Sequence, residues 1–382
     1  MIDATQGELA MSLFEPDRSA SRTPVSLITG FLGSGKTTLL NRLLRADGMA
    51  DSAVIINEFG EIGLDHLLVE RLDGEVAVMA NGCICCTVRS DLEETLRMLL
   101  ARRDAGEVPH FTRVLIETTG LADPAPVVQL LLANPLVSHF VRLDAVVVTV
   151  DAANAMRQLD EHAEAVKQVA IADRLLLTKT DLADAAGIAA LSARLTALNP
   201  AAPILVVAQG EVAPELLFGA ALFDPARKTA DVRRWLNEAA YAPAGHRLHH
   251  DHDHSHDGHG HDHHHHHHHH AEAGQSPHDA AIKACCLVFE TPLDWDVVSR
   301  WLAALRHWHG ADLLRVKGIL NVASEDAPLV VHGVHHVFHP PVRLTGWPDA
   351  DRRSRLVFIT RNLGREDLVT TLREAGVAEA VG

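Results

Sequence analysis

The chain has little positive charge, few cysteines and no long apolar run, and each shortage excludes a class of protein. Its 34 lysines and arginines face 50 aspartates and glutamates, and the formal net charge of −16 argues against a nucleic-acid partner. Five cysteines in 382 residues, an odd number, do not suit the disulfide framework of a secreted protein, so we expect a reducing, cytoplasmic location. No apolar stretch reaches the roughly 18 residues of a membrane span. The first 20 residues show no secretory signal, and we expect no membrane partner.

Short apolar runs rich in β-branched residues recur in the first part of the chain. They are continuous rather than alternating, which is typical of strands buried on both faces of a sheet. Six such runs are VSLIT (25–29), AVIIN (53–57), RVLIE (113–117), AVVVTV (145–150), RLLLT (174–178) and ILVV (204–207). Stretches of helical composition, such as TTLLNRLLRA, separate them. This alternation predicts an α/β fold with a doubly wound, mostly parallel sheet.

A smaller α+β domain is predicted after a break in composition. Residues 246–278 have almost no apolar side chain and are predicted to form a disordered, solvated linker. Beyond them, strands are predicted for ACCLVFE (284–290), LLRVKGILNVA (313–323), LVVHGVHHVFH (from 329) and RLVFIT (355–360), and helices for residues 294–308 and 364–376. The predicted units are a flexible leader over 1–22, the α/β domain over 23–242, the linker over 243–280 and the α+β domain over 281–380.

A phosphate-binding loop lies between the first predicted strand and the first predicted helix. The segment GFLGSGKT places Gly30, Gly35, Lys36 and Thr37 in the spacing G-x-x-x-x-G-K-T. The glycines let the backbone curl, so that amide groups and the positive end of the helix surround phosphate oxygens. We expect Lys36 to reach the β- and γ-phosphates and the Thr37 hydroxyl to ligate Mg²⁺.

A later segment, RLLLTKTDL, favours GTP over ATP. Asp181 can accept two hydrogen bonds from the guanine edge, which adenine cannot supply, and the stem of Lys179 can pack along the base. The motif more usually begins with Asn, where this chain has Thr178.

Two segments are predicted to respond to the terminal phosphate. In VLIETTG, Glu117 is expected to hold Mg²⁺ and the Gly120 N–H to sense the γ-phosphate, so that the turn switches with hydrolysis. The polar segment INEFGEIGLD is the second candidate, and its carboxylates belong to Glu58, Glu61 and Asp65.

Three of the five cysteines lie within four positions, in the segment NGCICC. Cys83, Cys85 and Cys86 supply at most three ligands, whereas structural zinc sites close with four protein ligands. Gly82 allows the sharp turn that two adjacent thiols need in order to face one ion. The fourth position is left to a carboxylate, a histidine or water. Such an incompletely ligated site exchanges its metal more readily than a closed one.

Two interpretations are open for the histidine-rich tract over 246–270. The eight-histidine run His263–His270 resembles a purification tag, but it is internal and continues from HHDHDHSHDGHGHD. A native His–Asp tract would buffer Zn²⁺, Ni²⁺, Cu²⁺ or Co²⁺ through neutral imidazoles.

Two other groups of cysteines and histidines are not expected to bind metal. Cys285 and Cys286 begin a predicted strand, so their side chains should point to opposite faces as core or surface residues. Four histidines in the run from 329 are expected on the surface: His332, His335, His336 and His339. Of these, His335 and His339 are expected on one face of the predicted strand.

Taken together, these segments resemble the CobW family of GTP-dependent metallochaperones. The resemblance rests on TGFLGSGKTT, INEFGE, NGCICC, IETTGLADP and TKTD, and on LLRVKGILNV and VHGVHHVFHPPVRL near the end. It spans residues 24 to about 375 and implies a P-loop GTPase of the SIMIBI class with a CobW-type C-terminal domain. Its C-x-C-C loop would bind Zn²⁺ or a similar ion beside the switch segments.

The resemblance also implies which residues form each site. Beyond Gly30 and Gly120, the implied nucleotide contacts are Gly33, Ser34, Gly35, Lys36, Thr37, Thr38, Lys179 and Asp181. The implied metal ligands are Cys83, Cys85 and Cys86, with Glu58 and Glu61 as partners. Some members have a metal-binding Glu two positions before the equivalent of Glu58, where this chain has Ile56, so the fourth ligand stays open.

The sequence therefore predicts a GTP hydrolase that transfers Zn²⁺ from the C-x-C-C loop to an apo-metalloprotein client. Lys36, Thr37 and Glu117 are expected to serve hydrolysis, with GTP, Mg²⁺ and Zn²⁺ as cofactors and Co²⁺ as the alternative metal. Three other functions stay open: a cobalt-handling GTPase of cobalamin synthesis, an activator of a single iron or cobalt hydrolase, and a passive zinc store. The client and the oligomeric state also stay open.

Overall fold

The computed structural model describes residues 21–57, 78–80, 88–218, 241, 281–344 and 346–377. The predictions for the leader, the histidine tract and most of INEFGEIGLD lie outside these residues, as do all those for NGCICC. In the described part of the chain, no helix is both long and apolar enough to cross a bilayer.

Seven parallel strands form the first sheet, in the order β3-β2-β4-β1-β5-β6-β7. They are β1 (Thr23–Gly30), β2 (Ser52–Asn57), β3 (Val78–Ala80), β4 (Arg113–Thr118), β5 (Val141–Asp151), β6 (Arg174–Thr178) and β7 (Ile204–Val206). All six predicted strands are confirmed. The short edge strand β3 was not predicted, because three residues are too few to produce a pattern.

Helices cover this sheet on both faces. They are α1 (Lys36–Leu43), α2 (Val88–Asp104), α3 (Ala125–Ala133), α4 (Pro135–Ser138), α5 (Ala155–Glu161), α6 (Ala163–Ile171), α7 (Ala185–Leu198) and α8 (Pro214–Leu217). Successive residues of β1 enter different cores: Leu27 packs with α2, α3 and α6, whereas Ile28 packs with α1. Burial on both faces explains the continuous apolar runs and confirms the doubly wound α/β fold.

The C-terminal part is an antiparallel sheet with two helices on one face. Its strands are β8 (Ile282–Phe289), β9 (Leu313–Leu320), β10 (Leu329–Val334), β11 (Val337–Phe338), β12 (Val342–Arg343) and β13 (Ser354–Arg361), and its helices are α9 (Trp295–His309) and α10 (Arg365–Glu374). The order is β11-β10-β9-β13-β8, and β12 also pairs with β10. Asp294 caps α9 by accepting hydrogen bonds from the amides of Asp296 and Val297. The predicted α+β class is confirmed.

The run from 329 forms a hairpin rather than one strand. His335 has a φ of 52° and turns the chain, so that Phe338 pairs back with Gly333. A Cβ on Gly333 would lie 2.9 Å from the ring of Phe338, so the glycine makes room for the fold-back. The predicted alternation of His335 and His339 along one strand face is therefore wrong.

Cys285 and Cys286 are both buried and enter different cores. Cys285 packs with α9 and α10, and Cys286 packs on the other face of the sheet. This confirms the prediction that the two thiols point to opposite faces. Burial raises the pKa of Cys285 to about 12, so this thiol stays protonated and is a poor metal ligand at neutral pH.

A buried charge cluster joins the two sheets. Asp173, just before β6, accepts a hydrogen bond of 2.6 Å from Arg315 of β9 and another from Lys317. Its other carboxylate oxygen accepts from the amide of Val146, 2.9 Å away. Burial would raise the pKa of Asp173, but the two cations outweigh it and hold the pKa well below its usual range. The ionised carboxylate therefore fixes the C-terminal sheet to the first one.

His332 belongs to this cluster, so the prediction that it lies on the surface is wrong. It is 4% exposed, and neither ring nitrogen hydrogen-bonds to another described residue. Burial, and then Arg315 and Lys317, lower its pKa well below the usual value, despite the opposing effect of Asp173. His339 also faces the ring and lowers the pKa further. The imidazole is neutral in the folded protein.

We expect His332 to make the protein less stable in acid. Below pH ~6.5 the histidine is protonated in the unfolded chain but stays neutral in the folded protein. Acidification therefore lowers the free energy of unfolding by up to about 1.4 kcal/mol per pH unit. His332→Leu should therefore lose less melting temperature between pH 7.5 and 5.5 than the wild type. The exposed His110→Asn is the control and should behave like wild type. Equal losses for His332→Leu and wild type would contradict this account.

Candidate functional site

The phosphate-binding loop connects β1 to α1 through three glycines with unusual backbone angles. Gly30, Gly33 and Gly35 have φ of 141°, 72° and 93°, which L side chains rarely adopt. A Cβ on Gly30 would lie 2.3 Å from the Thr149 hydroxyl oxygen. No side chain hydrogen-bonds at the N-cap of α1, so the first amides of this helix face the loop and are available to a ligand.

Hydrogen bonds from the neighbouring strands hold the loop in place. The hydroxyls of Ser34 and Thr149 share a hydrogen bond of 2.6 Å. The Thr178 hydroxyl donates to the carbonyl of Ser34 at 2.8 Å and to that of Val150 at 3.2 Å. Thr178, which stands where Asn is more usual, therefore ties the end of β6 to the phosphate loop.

Three side chains in and beside the loop are of the types that bind a nucleoside triphosphate and its Mg²⁺. Lys36 is 9% exposed, and its Nζ donates to the carbonyls of Gly30 at 3.0 Å and Phe31 at 3.3 Å. The Thr37 hydroxyl donates to Oε1 of Glu117 at 2.9 Å, and Glu117 is 2% exposed. A hydroxyl and a buried carboxylate so close together are oxygen ligands of the kind that Mg²⁺ prefers, so this pair fits the cation.

The predicted base-binding residues, Lys179 and Asp181, both follow the end of β6. Lys179 has a φ of 55°, and its Nζ donates to Oδ2 of Asp151 at 2.8 Å. Burial would raise the pKa of Asp151, but hydrogen bonds from Lys179 and Asn154 outweigh it, and the pKa lies below its usual value. Asp181 is exposed on a single 3₁₀ turn, Thr180–Leu182.

The turn after β4 packs directly against the phosphate loop. A Cβ on Gly120 would lie 2.6 Å from the backbone nitrogen of Leu32, so only glycine allows this approach. The carbonyl of Gly120 accepts a hydrogen bond of 3.2 Å from the Gln168 amide of α6. Contact with the phosphate loop on one side and α6 on the other suits a turn that senses a terminal phosphate.

The strands that precede the proposed metal ligands end at the same edge of the sheet as β1. Ile56 of β2 pairs with Ala80 of β3 and with Glu117 of β4, and Glu117 pairs with Ile28 of β1. Because all four strands are parallel, the chain leaves each of them on the side of the phosphate loop. The proposed ligands themselves lie outside the described residues: Cys83, Cys85, Cys86, Glu58 and Glu61. Within the described residues, no three His, Cys, Asp or Glu side chains cluster as a metal site.

Family models match both halves of the chain. The model described as CobW/HypB/UreG, nucleotide-binding domain, matches residues 24–206, and that of the cobalamin synthesis protein cobW C-terminal domain matches residues 282–376. A protein named zinc chaperone YjiA from Escherichia coli (strain K12) is 33% identical over 344 residues, which are 90% of this chain and 96% of that one. The chain belongs to the CobW family.

Two further comparisons agree with CobW membership. A protein named zinc chaperone CobW from Pseudomonas aeruginosa is 33% identical, over 94% of this chain and 93% of its own length. The crystal structure of Zn(II)-bound YjiA GTPase from E. coli superposes with a TM-score of 0.63 at 29% identity, covering 93% of this chain and 99% of that one. The predicted family and fold are therefore confirmed, and this CobW protein has a P-loop GTPase domain.

The structure brings several of the predicted site residues together at the phosphate loop. Lys36, Thr37 and Glu117 meet at the phosphate loop, and Gly120 contacts the same loop. Thr38 lies in the first turn of α1 with its side chain exposed. The roles assigned to these residues, and to Lys179 and Asp181, stay predictions.

Sequence reasoning missed two residues that shape the CobW nucleotide site. Asp151, which fixes Lys179, had a signal: it is a carboxylate at the end of a buried strand. Gln168 had none, because one glutamine within an apolar helix does not reveal that its amide reaches another segment.

We expect Gly120→Ala to slow GTP hydrolysis by about 10²-fold, because a displacement near 1 Å at a reacting centre has that order of effect. The added methyl must push the turn away from Leu32, whereas the binding of GDP should be unchanged. The measurement is steady-state hydrolysis beside GDP affinity. Gly346→Ala is the matched control, since a Cβ there meets nothing within 4 Å. Wild-type hydrolysis by Gly120→Ala would show that the turn does not serve the reaction.

Proposed function

We propose that this protein is a GTP-hydrolysing metallochaperone that binds Zn²⁺ at its C-x-C-C loop and transfers it to client metalloproteins. The observation that carries the proposal is that the segments concerned all lie at the carboxyl ends of neighbouring parallel strands. The phosphate loop, the Gly120 turn and the two segments with the proposed metal ligands all follow strands that end at the same edge of the sheet. Two relatives named as zinc chaperones and the zinc-bound structure of one of them support the choice of metal.

Hydrolysis would proceed by charge stabilisation at the phosphate loop. Lys36 and the first amides of α1 would bind the β- and γ-phosphates and stabilise the negative charge that develops on them. Thr37 and Glu117 would hold Mg²⁺, which neutralises part of that charge. Asp151 fixes Lys179 where its stem can pack against a base, and Asp181 would accept hydrogen bonds from guanine.

Metal binding and nucleotide state would be coupled by proximity. Cys83 follows the last residue of β3, Ala80, by three positions, and covalent geometry limits their Cα separation to about 11 Å. Glu58 directly follows β2, and neighbouring strands lie about 4.8 Å apart. A γ-phosphate bound near Gly120, which follows β4, would therefore lie one to two strand spacings from the ends of the strands that precede the proposed ligands. Its loss would alter the geometry of an incompletely ligated site.

The C-terminal domain would receive the client. It is fixed to the GTPase domain through Asp173, so a client docked there would keep a constant position relative to the nucleotide site. The histidine tract would act as a metal buffer that raises the local concentration of the ion beside the specific site.

Zinc stoichiometry and GTP hydrolysis, measured on one preparation, test the proposal. The wild type and a variant lacking residues 246–270 should both hydrolyse GTP and bind zinc. In the tract-lacking background, Cys85→Ser and Cys86→Ser should each lose the tightly bound zinc, and Cys285→Ser should keep it. Zinc retained by both loop variants, or no hydrolysis by the wild type, would overturn the proposal.

A further inference from the structure

The turn after β4 is attached to α6 at adjacent positions of that helix. Gln168 is 1% exposed, and its Nε2 donates to the carbonyls of Gly120 at 3.2 Å and Ala122 at 3.0 Å. The neighbouring Lys167 donates to Oδ2 of Asp123 at 2.9 Å. Asp123 also accepts from the amide of Ala125, where α3 begins. The glutamine and the lysine therefore hold the backbone from Gly120 to the start of α3.

The C-terminal end of α6 is attached to the C-terminal domain. The carbonyl of Ile171, its last residue, accepts a hydrogen bond of 2.6 Å from Arg315 of β9. Two residues later, Asp173 pairs with Arg315 and Lys317. Since α6 connects the parallel strands β5 and β6, it runs back across the sheet from the ligand edge to the opposite edge. Gln168, which holds the phosphate-sensing turn, and Ile171, at the domain interface, are only three helical positions apart, about 4.5 Å along the axis.

The β10–β11 hairpin provides a second contact between the same parts. Helix α3, which begins at the end of the turn, contacts both β10 and β11. The charged groups that face His335 in the hairpin turn include Asp123 and Lys167. A movement of the turn would thus meet the C-terminal domain at α6 and at the hairpin.

We infer that Gln168 is a positioning residue for the Gly120 turn, and that α6 transmits the state of this turn to the C-terminal domain. The inference rests on the proposed function. By anchoring two carbonyls, Gln168 fixes two peptide planes beside the Gly120 N–H and so limits the backbone to few conformations. Without the amide, both carbonyls lose a buried donor, and the turn would no longer be held where it meets a γ-phosphate.

A matched pair of buried amides tests the positioning role. Asn199 is also 1% exposed, and its Nδ2 donates to the carbonyls of Val169, Ala170 and Ala172 at the C-terminal end of α6. Gln168→Met should lower kcat for GTP about tenfold or more, while KM stays within about threefold. Asn199→Leu should lower the melting temperature but keep kcat. An equal fall in kcat for both variants, or no fall in Gln168→Met, would overturn the inference.

Hydrogen exchange on the full chain tests the transmission and separates it from the proposed function. Exchanging GDP for a non-hydrolysable GTP analogue should change protection at residues 119–125 and in β9 of the wild type. In Gln168→Met the change in β9 should disappear. A wild-type response confined to the turn would overturn the transmission. If the wild type does not hydrolyse GTP but this exchange pattern is found, the proposed function fails and the inference stands. If hydrolysis is normal and Gln168→Met responds like wild type, only the inference fails.

Discussion

Lys36→Ala is expected to lower kcat/KM for GTP by about 10²- to 10³-fold, which is the loss typical of removing one stabilising donor from a reacting centre. The Lys36 ammonium lies over the phosphate loop, bonded to the carbonyls of Gly30 and Phe31. It is therefore placed to exchange these carbonyls for phosphate oxygens. The measurement is steady-state phosphate release, beside a spectroscopic check that the variant is folded.

The same variant separates a chaperone from a passive zinc store. Because Lys36 is not one of the proposed zinc ligands, purified Lys36→Ala should bind as many zinc ions as wild type. In cells under zinc limitation it should nevertheless fail to support the client, whereas a passive store would lose nothing. Lys283→Ala, exposed on β8, is the control and should match wild type in both assays. Undiminished phosphate release by Lys36→Ala would show that the loop is not the hydrolytic site.

Asp173→Asn is expected to destabilise the protein by about 3–5 kcal/mol, because it leaves two buried cations without their counter-charge. Arg315 and Lys317 have side chains that are 4% and 10% exposed, so water cannot replace the carboxylate. The amide is nearly isosteric, which makes the effect electrostatic rather than a loss of packing. Calorimetry should show a fall in melting temperature on the order of 10 °C.

Two further variants test the electrostatic explanation. Adding Lys317→Met to Asp173→Asn removes one uncompensated cation and should recover part of the lost stability. Asp104→Asn breaks an exposed pair with Arg103 and should cost less than about 1 kcal/mol. If Asp173→Asn and Asp104→Asn cost the same, the buried cluster does not fix the C-terminal domain.

The parts of the fold that could be predicted are those with a strong local pattern. Strands buried on both faces, such as β1 and β5, leave continuous apolar runs, and the phosphate loop has a fixed glycine spacing that only certain backbone angles explain. The hairpin at His335 could not be predicted, because the residues on both sides of the turn continue the apolar pattern of the strand. The same run gave a wrong prediction for His332, since its burial depends on Asp173, Arg315 and Lys317 from distant parts of the chain.

The candidate site shows the same division between local and distant information. Lys36 and Thr37 are marked by their own motif, and Glu117 by its position at the end of a strand. The contact of Glu117 with Thr37 joins residues 80 positions apart, and that of Gln168 with Gly120 joins residues 48 apart. Such contacts depend on the order of strands in the sheet, which the sequence pattern alone does not specify.

The central claim is that the terminal phosphate of GTP changes how tightly the C-x-C-C loop holds zinc. The most direct measurement is zinc affinity, by competition with a chelating dye, in the variant lacking residues 246–270, with GDP or a non-hydrolysable GTP analogue bound. The account predicts affinities that differ by at least about tenfold, within the range of coupling between linked sites, and no such difference after Cys86→Ser. Equal zinc affinity in the two nucleotide states would contradict it.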